Sequence, residues 1–410
     1  MDSLTQIILG AAVGEATLGR KVGNRAMLWG GIAGTLPDLD VLANAVSDPM
    51  SALAYHRAFT HSLLFAVLAA PLLGLAIHRL YGGKDGPLPG PWAYPALLML
   101  FYAMLTAGSY AMPIEIYHIP GITLAITLAF GGIFLVVAAL RWLRGFPQKI
   151  PNTSWGGWTL LAFGAIVTHP LLDCFTAYGT QFLQPLASTR ITWNTISVVD
   201  PLYTLPFLAL LVWARTQVQG TAKRQWLNRA GLVLSSVYLL LTVVNYFNVE
   251  GIMEDSLAEE GIEAESLVVS PSIFNNVLWS GTAREGKDVF YFSQYSLFDR
   301  ERSFAPYTRI EGNHAWLAPY ANDRDLRILQ WFTKGYYGVM PGSGGSEGQV
   351  QVNDLRYGLL DEDPTSPSSY IFSWQVDTTV HPVRAWQAPP GDNVDMNDLF
   401  SRLWKRIKGI

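Results

Sequence analysis

Two carboxylates and two imidazoles crowd the start of the chain in Pro37-Asp38-Leu39-Asp40 and His56-Arg57-Ala58-Phe59-Thr60-His61, and the pairing recurs in His169-Pro170-Leu171-Leu172-Asp173. Imidazole with carboxylate is the ligand mixture of zinc, manganese and iron sites. The surrounding sequence is apolar, where each ionisable group is costly by itself and a cation offsets the desolvation of all of them together. The chemistry indicated is a divalent metal centre whose bound water becomes a nucleophile near neutral pH.

Each motif has a functional and a plainer reading. His169 and Asp173 stand at i and i+4, sharing one helix face as two ligands of one metal would; alternatively they form a hydrogen bond that fastens a helix end. His56 and His61 lie at i and i+5, about 140° apart on an ideal helix, so both reach one site only if His56 precedes the helix. Thr60 would then cap the span beginning at His61, while the plain reading makes both imidazoles interfacial polar groups. Arg57 is a planar charged fork suited to phosphate or carboxylate, or else an interfacial anchor. Asp38 and Asp40 end a glycine-rich helix, the wrong end for negative charge unless a cation is present, although Asp and Pro are also ordinary turn residues. Asp200 before Pro201 fits a helix cap as well as a ligand. Asp2, Gln6 and Arg190 are weaker candidates. Cys174 reads as a packed small residue, and His78, His118, His314 and His381 lack partner motifs.

The elements that must position these residues are membrane helices. Hydrophobic residues make up 50% of the chain and charged residues 15%. Residues 1–250 hold 14 Lys+Arg and 10 Asp+Glu, whereas 251–410 hold 14 and 22, so an apolar portion precedes an acidic, soluble one. About six long apolar spans are expected near 61–80, 92–111, 121–140, 156–174, 198–213 and 230–247. Two short helices, 4–18 and 26–36, precede them and carry glycines suited to close packing. Asp2 stands where the basic region of a cleavable signal would lie, which argues against one. The single cysteine excludes an intrachain disulfide framework and a Cys-rich zinc site.

Basic residues give the expected orientation. Arg20, Lys21, Arg25, Arg79, Lys84, Arg141, Arg144, Lys149, Arg215, Lys223, Arg224 and Arg229 fall on one side, and Arg57 and Arg190 on the other. The positive-inside rule assigns the first group to the cytoplasm. All the acid and imidazole motifs, Arg190, Asp200 and everything after about Val249 then fall on the external face, where a composite site would assemble.

Asp2…Gln6…Gly10, Pro37-Asp38-Leu39-Asp40, His56-Arg57…Thr60-His61-Ser62 and His169…Asp173 resemble the YdjM-type family of bacterial inner-membrane proteins, regarded as metal-dependent hydrolases. The resemblance covers roughly residues 1–215. The family is distantly similar to the zinc-dependent phospholipase C group. What the resemblance implies is a multi-pass protein of the bacterial inner membrane, with His56, His61, His169, Asp173, Asp38 and Asp40 in the metal site. One departure is Thr5-Gln6, where many relatives carry a His after the Thr; Gln6 is at best a weak neutral ligand.

Residues 250–410 read as a small extracytoplasmic α+β domain following the membrane domain at 1–249. Residues 250–265 look like an acidic linker, 277–283 and 289–296 like a hairpin, 349–357 and 369–377 like strands, 323–332 like a helix, and 395–407 like a basic amphipathic helix. The aromatic residues of this part read as core.

The expected function is that of a membrane-bound metal-dependent hydrolase acting on a phosphoester of a lipid or lipid-linked substrate. Zinc is the expected metal, with manganese or magnesium as alternatives. Asp38 or Asp40 would take a proton from water, and Arg57 with Arg190 would bind the scissile anion. The rival class is a metal-binding transporter or non-catalytic scaffold. Transport would place polar groups through the membrane depth, and 122–140 is almost free of charge. The lack of a strongly basic domain argues against nucleic acid as a partner.

Overall fold

The structure, a computed structural model, describes residues 1–81, 93–143, 151–342, 348–359, 363–388 and 396–409. Trp92, Lys84, Arg144, Lys149 and Asp395, which figure in the sequence expectations, lie outside the described residues. The chain divides into two compact units, Met1–Thr192 with Pro201–Tyr238, and Trp193–Asp200 with Leu239–Ile410.

The first unit is helical. Its order is α1 (Ser3–Val22), α2 (Asn24–Thr35), a 3-10 segment Pro37–Leu42, α3 (Ala43–Val46), α4 (Pro49–Tyr55), a 3-10 turn Phe59–His61, α5 (Leu63–Tyr81), α6 (Ala93–Tyr110), α7 (Ile119–Leu143), α8 (Trp155–Asp173) and α9 (Pro201–Thr216). Helix α10 (Ala222–Glu259) begins in this unit and ends in the second. Asp2 caps α1, accepting from the Thr5 amide at 3.0 Å and from its hydroxyl at 2.6 Å. Helices α1 and α2 touch backbone to backbone. A Cβ on Gly10 would lie 2.4 Å from the Gly30 carbonyl oxygen, and one on Gly14 would lie 2.2 Å from that of Ala26. Glycine is required there for the approach itself, the small-residue packing by which apolar helices come close. A buried bidentate pair, Arg224 on Glu15 at 2.6 Å for each bond, ties the opening of α10 to α1. Helix α8 packs against α1, α2 and α5.

Among the described residues, three helices are long and apolar enough to cross a membrane: Leu63–Tyr81, Ile119–Leu140 and Ala222–Glu259. The expectation of six long spans is therefore not supported. The physical reasons differ by helix. Thr168, His169, Pro170 and Asp173 interrupt the apolar run of α8. Helix α9 has only 16 residues, with Pro206 inside it. Helix α6 closes on Thr106, Gly108 and Ser109.

The second unit is built on two four-stranded, wholly antiparallel sheets in sequential order. The first contains β1 (Ser266–Pro271), β2 (Leu278–Glu285), β3 (Val289–Ser296) and β4 (Thr308–Glu311). Helix α11 (Arg324–Thr333) follows. The second sheet contains β5 (Tyr337–Pro341), β6 (Gln349–Asp354), β7 (Ser373–Asp377) and β8 (Arg384–Gln387), and α12 (Met396–Ile407) comes last. The expected hairpin is β2 and β3, in register from Leu278 opposite Ser296 to Glu285 opposite Val289. The expected acidic linker is corrected: α10 carries the helix on to Glu259. Val249, Ile252, Met253 and Leu257 form an apolar stripe buried with Trp279, Tyr295 and Phe304, and that burial overrides the acidic composition.

Candidate metal centre

The site assembles where the 3-10 segment Pro37–Leu42, the turn Phe59–His61 and the end of α8 meet. The glycine contact holds α2 against α1, and after Thr35 the chain continues at once into the 3-10 segment that carries Asp38 and Asp40. His61 follows α4 on a short turn, and α5 is capped by the Ser62 hydroxyl, which accepts from the Phe65 amide at 3.0 Å. Thr60, expected to be the cap, donates instead to Asp40 Oδ2 at 3.1 Å.

Three donor atoms converge. His61 Nε2 and His169 Nε2 are 3.2 Å apart. Asp38 Oδ1 lies 3.6 Å from the first and 3.3 Å from the second. Ligand atoms about 2.0–2.2 Å from a tetrahedral metal sit about 3.3–3.6 Å from one another, so this triangle has the dimensions of one face of such a site. Both imidazoles are buried, and Asp38 is partly open.

The groups behind the triangle orient it. His61 Nδ1 faces Asp40 Oδ2 at 3.1 Å, and His169 Nδ1 donates to the Gly34 carbonyl. With the Nδ1 protons directed outward, both Nε2 lone pairs point at each other across 3.2 Å, an arrangement that a cation between them relieves. A carboxylate behind a ligating histidine is the usual device for fixing its ring and raising its basicity.

Asp40 is thus a supporting group. It is fully buried and also accepts the Arg57 amide at 2.8 Å and pairs with His56 Nδ1 at 2.8 Å. Burial pushes the Asp40 carboxyl up, and the His56 and His61 imidazoles outweigh it, holding it well below the usual carboxylate range. Burial acts likewise on Asp38, where His169 and then His61 prevail and the group is held low.

Asp173 adjoins the triangle. Its Oδ2 lies 3.4 Å from His61 Nε2 and 3.3 Å from His169 Nε2, and it is buried with no hydrogen-bond partner. Its Oδ1 pairs with the Met1 amino group and accepts from Gln6 Nε2 at 3.0 Å. Gln6 therefore serves the carboxylate. A buried carboxylate oxygen that accepts no hydrogen bond, beside two inward nitrogen lone pairs and a second carboxylate, fits a divalent cation.

Of the other sequence candidates, His56 is not in the cluster: it closes α4 and turns to Asp40, with its side chain 29% exposed. Arg57, at φ 59°, is buried; its Nη1 donates to Thr176 Oγ1 at 3.0 Å and its Nε lies 3.4 Å from Asp173 Oδ2. Arg190 is spent on backbone carbonyls of Tyr178, His56 and Gly179 at 3.1, 3.3 and 3.3 Å. The two guanidinium groups lie 4.9 and 4.6 Å from the centre of the same Tyr178 ring. Tyr178, Thr176 and the Gly34 carbonyl are partners that sequence reasoning missed. No residue type marks a backbone carbonyl as an imidazole acceptor, and Thr176 and Tyr178 carried only their closeness to Asp173 as a signal.

Among curated proteins, the chain is similar to a protein of Bacillus subtilis (strain 168) described as "Uncharacterized protein YfhP", with 24% identity over 286 residues. That match covers 67% of this chain and 62% of the relative, so the chain spans less than two thirds of that protein's length. No solved structure matches the chain significantly. The family model described as "YdjM inner membrane protein" matches residues 1–249, which take in every member of the cluster. The chain belongs to the YdjM inner membrane protein family.

Proposed function

We propose that this membrane protein is a metal-dependent hydrolase that cleaves a phosphoester of a lipid or lipid-linked substrate at the external membrane face. The observation that carries the reading is the pair of inward Nε2 atoms of His61 and His169, 3.2 Å apart and joined by Asp38 Oδ1. Three protein donors are the complement of a catalytic site that keeps one position for water. Bound there, zinc, or alternatively manganese or magnesium, would supply an acidified water and a Lewis acid for the scissile group.

The chain's own groups divide the remaining work. Asp38, His61 and His169 hold the metal, and Asp40 and the Gly34 carbonyl fix the two rings. Asp173 Oδ2, which accepts no hydrogen bond and lies beside both rings and the Arg57 Nε, is positioned to accept a proton at the site, in place of the role first assigned to Asp38 or Asp40. Arg57 is the side-chain guanidinium beside the cluster and steadies anionic charge at Asp173, together with the Met1 amino group. Arg190 holds the loop that carries Tyr178.

A second reading rests on Asp173 Oδ2, which is as near the two imidazoles as Asp38 is. As a fourth ligand it would close the site, giving a structural or ion-handling centre. Metal content and turnover of bis(p-nitrophenyl) phosphate and of phosphatidylglycerol, measured on detergent-purified wild type and His169→Ala, separate the two. Metal with turnover in the wild type, both lost in the variant, is the expected result. Metal without turnover supports the closed centre, and no metal in either sample overturns both readings.

A further inference from the structure

Helix α12 departs from the habits of the rest of its unit. Its sequence places Met396, Leu399, Phe400, Leu403, Trp404 and Ile407 on one stripe at helical spacing. A stripe of that kind is ordinarily buried, yet Phe400 is 44% and Trp404 58% exposed, while Leu403 and Ile407 are half-buried. The helix is held through its polar side. Arg406 donates twice to Asp299, at 2.7 Å each, and to the Gln294 carbonyl at 2.6 Å. The Ser296 hydroxyl donates to the Ile407 carbonyl at 2.6 Å. These contacts fix the end of the helix beside Phe298, itself 65% exposed, and Phe400 lies 6.1 Å, centre to centre, from the exposed ring of Phe274. Phe400 and Phe274 thus meet on the surface, with Trp404 exposed one turn along the same helix and Phe298 exposed beside its end.

Charge says what covers it. Residues 396–409 carry four basic residues, Arg402, Lys405, Arg406 and Lys408, and one acid, Asp398, in a portion of the chain where acids otherwise dominate. Lys405 and Lys408 are exposed, and the Lys408 ammonium lies 4.8 Å from the centre of the Trp404 ring. Aromatic rings flanked by lysines on an amphipathic helix suit the interface of an anionic bilayer: the rings enter at head-group level and the ammonium groups meet lipid phosphates. The chain belongs to a membrane family, and α10 is apolar enough to span the bilayer and continues into this unit, so a lipid surface is always at hand.

We propose that α12, with Phe274 and Phe298, is an interfacial anchor by which the sheet unit lies on the anionic lipid surface of its own membrane. The test uses the full chain with Cys174→Ser, reconstituted one copy per nanodisc containing phosphatidylcholine and phosphatidylglycerol at three to one. A nitroxide is attached through Trp404→Cys or, on the polar face of the helix, Ser401→Cys. Relaxation by oxygen and by a water-soluble nickel chelate reports depth. The expected result is a label at 404 reached by oxygen and shielded from nickel, a label at 401 reached by nickel, and loss of the shielding at 404 in Lys405→Glu/Lys408→Glu or when phosphatidylglycerol is omitted. Equal nickel access at both positions overturns the proposal. So does a label at 404 shielded from both reagents, which would mean a protein partner, or shielding indifferent to lipid charge.

Discussion

Residue by residue, the candidate centre is a set of donors whose backs are as well held as their faces. Asp40→Asn keeps the shape and removes the charge behind His61, so it should weaken metal binding by about 10–100-fold while leaving the fold intact; metal titration against a competing chelator measures this. His56→Ala should leave stoichiometry unchanged, because the His56 imidazole hydrogen-bonds Asp40 and is not one of the three convergent donors. Acid should strip the metal through the imidazoles. Asp38 and Asp40 are held below the usual carboxylate range and stay ionised, so protons compete at Nε2, and bound metal should fall as the pH is lowered, with chelator-accessible metal as the readout. The ligand types and the i,i+4 pair on α8 were legible in the sequence because spacing on a helix fixes direction. Asp38 and Asp40 could not be told apart, nor His56 from His61, since both pairs lie on short 3-10 segments and a helix end whose direction is set by the packing of α2 and α4.

Between elements, close contact does the positioning. Gly14→Ala would drive a Cβ into the Ala26 carbonyl and should cost about 1–3 kcal/mol with a drop in metal affinity, because α2 carries Asp38. Gly31→Ala, whose Cβ would meet Ile7 at an ordinary 3.4 Å, should be neutral or slightly stabilising. Arg224→Gln strands the buried Glu15 and should cost about 3–5 kcal/mol, read with its partner variant Glu15→Gln in a double-mutant cycle by thermal unfolding in detergent. The long apolar helices, the β2–β3 hairpin and strands β6 and β7 were legible because each repeats its period several times. Strands β4 and β8 span four residues each and show too little alternation to register. The end of α10 was misread because its acids face outward while Ile252, Met253 and Leu257 face inward, a distinction that composition does not make.

At the scale of the molecule, the chain joins a helical membrane unit to a unit of antiparallel sheets, and the distribution of basic residues predicts that the sheets lie outside the cytoplasm. Lys287→Cys in intact spheroplasts should react with a membrane-impermeant maleimide without permeabilisation, against little background from the buried Cys174. Labelling only after lysis would reverse the orientation and, with it, the side on which substrate is met. The separation of the two imidazoles along the chain also fixes when the centre can exist. His61 is synthesised 108 residues before His169, and the loop that braces the first motif, through the Gln181 amide on the Arg57 carbonyl and Arg190 on His56, is made later still. A nascent chain inserted only as far as α7 presents Asp38 and His61 alone, two donors with no second ring opposite them. On the proposed reading, metal loading would therefore come late in biogenesis, after α8 has folded against α1 and α5, and a protein stalled or cleaved before that point would be metal-free.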